Sequence, residues 1–206
     1  MFSLQRFTAA TFLLLLSASL VCAQGKKQPP PPPPAPAKSP SPAVTDDFVH
    51  KQFGEKCSLI HGPQQFVADL DGDGIPDLVV AARCSDPMAD QDEYAFKVID
   101  PYNTYMGFGD VKVTSKFASD VPERRGLSLL VIQGDEKDEW RAETPKAKFV
   151  VINLPFKTFT VKKYALKKKM VLGIFVEEQG EGMNTSSVIF WDGKKYRYEQ
   201  VGATLE

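Results

Sequence analysis

The chain has 206 residues, with 25 Lys and Arg against 26 Asp and Glu. The resulting formal charge of −1 excludes the basic footprint that a nucleic-acid surface requires. Its longest apolar run lies near the N-terminus and falls short of the roughly 20 residues needed to span a bilayer.

The first element in chain order is a leader. Arg6 forms a short basic region, residues 12–16 open an apolar stretch, and Val21-Cys22-Ala23 puts small residues at −3 and −1 of a cut before Gln24. Residues 1–23 therefore predict a cleavable secretory signal and an exported protein of a bacterial periplasm, cell envelope or extracellular space. An uncleaved anchor is one alternative. A lipoprotein acylated at Cys22 is another, disfavoured because Ser19 and Val21 stand where an aliphatic and a small residue are usual. Residues 24–44 read as a linker. The proline run 29–34 and the Ala/Ser/Pro stretch after it cannot build a core and favour a semi-rigid polyproline spacer.

Residues 45–206 are expected to form a single globular, β-rich domain. It opens with a short helix: Thr45 is the N-cap, Asp46 and Asp47 suit the positive helix start, Phe48, Val49, Gln52 and Phe53 recur on adjacent turns, and Gly54 ends it. Apolar runs at 78–82, 126–132, 148–152 and 170–176 predict strands. Asp192-Gly193 predicts a tight hairpin between 188–191 and 196–198. The lysines at 162, 163 and 167–169 read as a strand edge or turn, where lysine discourages strand-to-strand aggregation.

A loose period of about 45–50 residues, strand then acidic stretch then strand, suggests blade-like units. Three such units are too few for an ordinary closed propeller, which takes at least about four blades. The expected fold is mainly β with a short N-terminal helix, arranged as a curved antiparallel sheet or as two packed sheets of degenerate blade-like units.

Removing the signal also removes Cys22 and leaves Cys57 and Cys84, which in an oxidising compartment predict a disulfide. Two free thiols are the alternative. Zinc is poorly supported, because only His50 and His61 could join the cysteines and no C-x-x-C spacing occurs.

The stretch Asp69-Leu70-Asp71-Gly72-Asp73-Gly74-Ile75-Pro76-Asp77 carries the clearest chemistry. Carboxylates at alternate positions of a tight turn converge on a point, which suits the hard, oxygen-seeking Ca²⁺ ion. Asp69, Asp71, Asp73 and Asp77 can offer side chains, and Ile75 a backbone carbonyl. An EF-hand is excluded because its twelfth position, the bidentate Glu, is Val80 here. With Leu78-Val79-Val80 behind it, the loop resembles the calcium loop of FG-GAP and VCBS-type repeats of integrin-like propellers. That resemblance implies metal ligands at Asp69, Asp71, Asp73, Ile75 and Asp77, and implies no activity. The stretches before Leu127 and Met170 contain no second copy.

The expected function is that of an exported non-catalytic envelope module with structural Ca²⁺ and a disulfide, binding a protein or glycan partner. Aromatic residues in 102–109 and the Trp191 hairpin are the candidate contacts. The rival class is an exported hydrolase using a carboxylate pair, with His50, His61 or the acidic stretch 86–93 as a source of base. No G-x-S-x-G or H-E-x-x-H motif is present. An inhibitor or chaperone-like protein is a third reading, and no residue separates it from the first.

Overall fold

The computed structural model describes residues 43–60, 65–101, 122–179 and 183–205, and Pro42–Glu206 form one compact unit. The predicted signal, all but the last two residues of the predicted linker, His61 and the aromatic run 102–109 lie outside the described residues.

Helix α1 (Asp46–Phe53) forms where its caps demand it. Thr45 Oγ1 accepts the Phe48 N–H at 3.3 Å, and Gly54, at φ +87°, returns its own N–H to the His50 carbonyl. Its buried face is Val49, Gln52 and Phe53.

Among the described residues ten strands follow, in two sheets. The first holds β1 (Cys57–Leu59), β2 (Gln65–Ala68), β3 (Asp77–Cys84), β4 (Lys97–Ile99), β5 (Leu127–Gln133) and β6 (Ala147–Val151). Its order is β1-β3-β5-β6-β4, and β2 also pairs with β3. β1 lies against residues 82–84 of β3 and β2 against residues 77–80, so two short strands share one edge. A short helix, α2 (Pro87–Asp90), precedes β4. The second sheet is an antiparallel meander of β7 (Phe156–Leu166), β8 (Lys169–Gln179), β9 (Met183–Trp191) and β10 (Tyr196–Leu205), in the order β10-β9-β8-β7.

The apolar runs of β3, β5 and β6 are buried on both faces, and the period-two alternation sorts them. Val79, Ala81, Leu129, Val131, Phe149 and Val151 face the second sheet, where Phe159, Ile174 and Ile189 meet them. Leu78, Val80, Leu130, Ile132, Val150 and Ile152 face α1, where Val49 and Phe53 meet them. The architecture is thus helix, sheet, sheet, with the six-stranded sheet in the middle.

The described fold is mainly β, with two packed sheets, a short N-terminal helix and no closed barrel. The strands expected at 78–82, 126–132, 148–152 and 170–176 start within a residue of prediction, β9 begins five residues before the expected 188, and Gly193, at φ +102°, makes the predicted hairpin turn. The three repeat units pair in different ways. β5–β6 and β8–β9 are antiparallel, whereas β4 leaves β3 altogether and runs parallel to β6. The acidic stretch of that first unit holds α2, and β4 is only three residues long. β7, whose lysines were expected at a strand edge or turn, is an edge of its sheet, carries Lys162 and Lys163 exposed, and turns into β8 at Lys167-Lys168.

Candidate metal centre

Cys57 and Cys84 form a disulfide, and they are direct register partners in the β1–β3 pair. The bond closes a sequence separation of 27 residues, and the Asp loop lies inside it. β3 is therefore held at both ends, by the disulfide at Cys84 and by the loop at Asp77.

The loop is the tip of the β2–β3 hairpin, closed by the Ala68–Asp77 pair. Its own carboxylates turn the chain. Asp69 accepts N–H groups from Gly72, Asp73 and Gly74 at 2.7, 3.1 and 3.0 Å. Asp71 accepts from Asp73, and Asp73 from Ile75 at 2.8 Å. Gly72 and Gly74 stand at φ +81° and +89°, the left-handed region that a side chain disfavours.

Asp77 is the deepest member, 1% exposed. Its Oδ2 accepts the Leu70 N–H at 2.7 Å and the Asp71 N–H at 3.3 Å, and its Oδ1 accepts the Gly134 N–H at 2.8 Å. Burial pushes its carboxyl up to about 7, with the Asp71 charge adding to the rise and the three N–H donors opposing it. Such a carboxylate is short of positive charge.

Carboxylate oxygens of Asp69, Asp71 and Asp77 lie within 4.8 Å of one another and could hold a metal ion. Donors that are all carboxylate oxygen suit a hard cation. Asp73 stands apart from this cluster: its Oδ2 pairs with Lys146 Nζ at 2.6 Å, and the same ammonium reaches Asp71 Oδ2 at 2.7 Å. Burial works against the Asp73 charge, but Lys146 and the Ile75 N–H outweigh it and hold this carboxyl below the usual range. The hydrogen bonds to Asp71 and Asp73 in turn raise Lys146 above the ordinary lysine range. Ile75 sits at the end of the loop, where its N–H ties it to Asp73.

Two further polar atoms lie inward of the loop. Gln133 Nε2, at the end of β5, and the Tyr196 hydroxyl, at the start of β10, are buried without a well-directed hydrogen bond, and the two side chains interact with each other. Burial first, and then the charges of Asp77 and Asp71, push the Tyr196 phenol far above its ordinary value.

Lys146, Gly134, Gln133 and Tyr196 were not legible as site residues. They stand 56 or more residues beyond Asp77 in the chain, and no local pattern marks them. Of the other residues singled out from sequence, His50 Nδ1 meets Glu55 at 3.2 Å, Asp90 pairs with Lys56 at 3.0 Å, and the Trp191 ring packs on Phe149 and Tyr196. Among the described residues no helix is long and apolar enough to cross a membrane. Comparison of the chain with models of protein families, with curated proteins and with solved structures finds no match.

Proposed function

We propose that this is an exported, non-catalytic envelope module whose Asp69–Asp77 loop binds Ca²⁺ as a structural ion, and whose surface engages a protein or glycan partner. One observation carries the reading: Asp69, Asp71 and Asp77 converge within 4.8 Å at a hairpin tip, around a carboxylate that burial leaves short of positive charge. The loop spacing and its glycines support it, as does the unsatisfied polar pair behind it. The disulfide supports export, since such bonds persist in oxidising compartments. Sites of this kind outside the cell bind with Kd of about 10⁻⁴ to 10⁻³ M and stabilise their domain by mass action wherever Ca²⁺ exceeds that value.

The hydrolase reading finds its nearest counterpart in a cleft of about 780 Å³ whose described walls include Asp192, Arg197 and Glu199. Arg197 holds the Asp192 carboxyl down to about 2, the wrong direction for a general acid, and Glu199 is engaged by the Tyr164 hydroxyl. The module reading is therefore the stronger one.

Calorimetric titration of Ca²⁺ into the purified, chelator-treated protein, with thermal melts alongside, is the test. Saturable binding and a raised melting temperature, both lost in Asp71→Ala, are expected. Absence of heat together with an unchanged melt would overturn the reading.

A further inference from the structure

Resting on that reading of the loop, we infer that Lys146 is a tethered occupant of the cation position, which Ca²⁺ must displace before it can gather Asp71 and Asp73 beside Asp69 and Asp77.

The carboxylates form two groupings that share one member. Asp69, Asp71 and Asp77 make the inner one. Asp71 and Asp73 make the outer one, closed by Lys146 Nζ at 2.7 and 2.6 Å. Full use of the four carboxylates by a metal needs Asp73 to turn inward and Asp71 to point both its charge and its lone pairs at the ion. An ammonium and a divalent cation cannot share Asp71 at contact distance without strong repulsion. One of them must leave, and the geometry decides which. The Asp71 side chain is only 2% exposed and its backbone is tied to Asp77, so it cannot follow the lysine outward. The Lys146 side chain is 46% exposed on a flexible four-carbon stem. Its backbone is fixed beside β5 by a 3.1 Å bond from its N–H to the Gln133 carbonyl. The ammonium can swing into water while its anchor stays.

A second observation concerns the interior side of the loop. Gln133 Nε2 and the Tyr196 hydroxyl are buried without well-directed hydrogen bonds, interact with each other, and the Tyr196 hydroxyl also feels the charges of Asp77 and Asp71. Buried polar groups ordinarily fill their hydrogen-bonding capacity, so this pair leaves polar capacity open behind the inner grouping, on the side away from Lys146.

The consequence is a loop that is ordered in both states. Without metal, Lys146 neutralises part of the carboxylate charge and keeps the tip folded. With metal, it is released to the surface. The lysine lowers metal affinity and limits the stabilisation that the ion adds.

The experiment compares the wild-type protein, Lys146→Met and Lys146→Arg by calorimetric titration of Ca²⁺, with melts in chelator. Lys146→Met is expected to bind about tenfold more tightly, to melt lower in chelator, and to regain stability there as salt screens the carboxylates. Lys146→Arg is expected to return affinity to the wild-type range. Equal or weaker binding by Lys146→Met, with the wild type still binding, overturns the displacement and leaves the calcium loop intact. Binding by none of the three overturns both. A second measurement needs only the wild type: the ammonium NMR signal of Lys146, protected while ion-paired, should broaden into exchange with water at saturating Ca²⁺. A signal unchanged at saturation also overturns the displacement.

Discussion

The Gly134 N–H donates to Asp77 Oδ1 at 2.8 Å, joining the residue that leaves β5 to the carboxylate that opens β3. The two come this close because Gly134 has no side chain. A Cβ there would stand 2.5 Å from the Pro76 carbonyl oxygen and 2.8 Å from Ile75 Cγ2. Gly134→Ala should therefore push the loop off the sheet at a cost of roughly 1–3 kcal/mol. Denaturant unfolding would show a lower midpoint, and Ca²⁺ titration a weaker site. An unchanged midpoint would mean that the loop yields freely and is not fixed by this contact.

Removing the Asp77 carboxylate separates its two tasks. Asp77→Ala strands the N–H groups of Leu70, Asp71 and Gly134, of which the first and last are in buried bonds. Each buried orphan costs about 1–3 kcal/mol. Asp77→Asn keeps an acceptor oxygen and should cost less, although both variants should lose metal binding. Equilibrium unfolding of the two in chelator checks the difference. Equal stability would show that the N–H groups find other partners.

The Cys57–Cys84 bond closes a 27-residue separation. In the chain-entropy model, its loss should cost about 3.5 kcal/mol, mainly by freeing the unfolded chain. The double variant Cys57→Ala, Cys84→Ala should unfold at a lower denaturant midpoint than the oxidised protein. The loss should persist at saturating Ca²⁺, because the proposed ion would act at the opposite end of β3, at Asp77. A midpoint within error of the wild type would refute the claim.

The β9–β10 turn gives a pH prediction. Asp192 accepts from Arg197 Nε at 2.6 Å and from the Lys194 and Lys195 N–H groups at 2.9 Å each, which holds its carboxyl down to about 2. A folded value below the unfolded one of about 3.9 favours the folded state fully above pH ~4 and loses that contribution as pH falls towards 2. Solvent screens this half-exposed pair, so the effect should not exceed about 1 kcal/mol. The stability gap between the wild type and Asp192→Asn should be open at pH 6 and narrow steadily below pH 4. A gap independent of pH would show that Asp192 acts through shape alone.

Several features were legible in the sequence because they are settled by neighbours only a few residues apart. Thr45 caps α1 through the N–H of Phe48, three residues on, and Gly54 ends it. Asp192-Gly193 turns its own hairpin. The Asp69 carboxylate folds its loop onto Gly72, Asp73 and Gly74. Continuous runs of Val, Leu and Ile marked β3, β5 and β6 as strands. Removal of Cys22 with the predicted signal, and the oxidising compartment that signal implies, left Cys57 and Cys84 to pair.

The tertiary structure decided what those elements meet. Apolar alternation is satisfied by any partner on either face, so it cannot say that β4 joins β6 in parallel while β1 and β2 divide one edge of β3. The same holds at the loop. Lys146 lies 75 residues from Asp71 and Gly134 lies 57 from Asp77. Both reach the carboxylates because β5 and β6 are stacked beside β3 and end at the same edge of the sheet. Local spacing alone gathers Asp69, Asp71 and Asp77 into a cluster that could hold a metal ion. Strand order, a long-range result of burying both faces of the central sheet, brings Lys146 within 2.7 Å of Asp71 and 2.6 Å of Asp73.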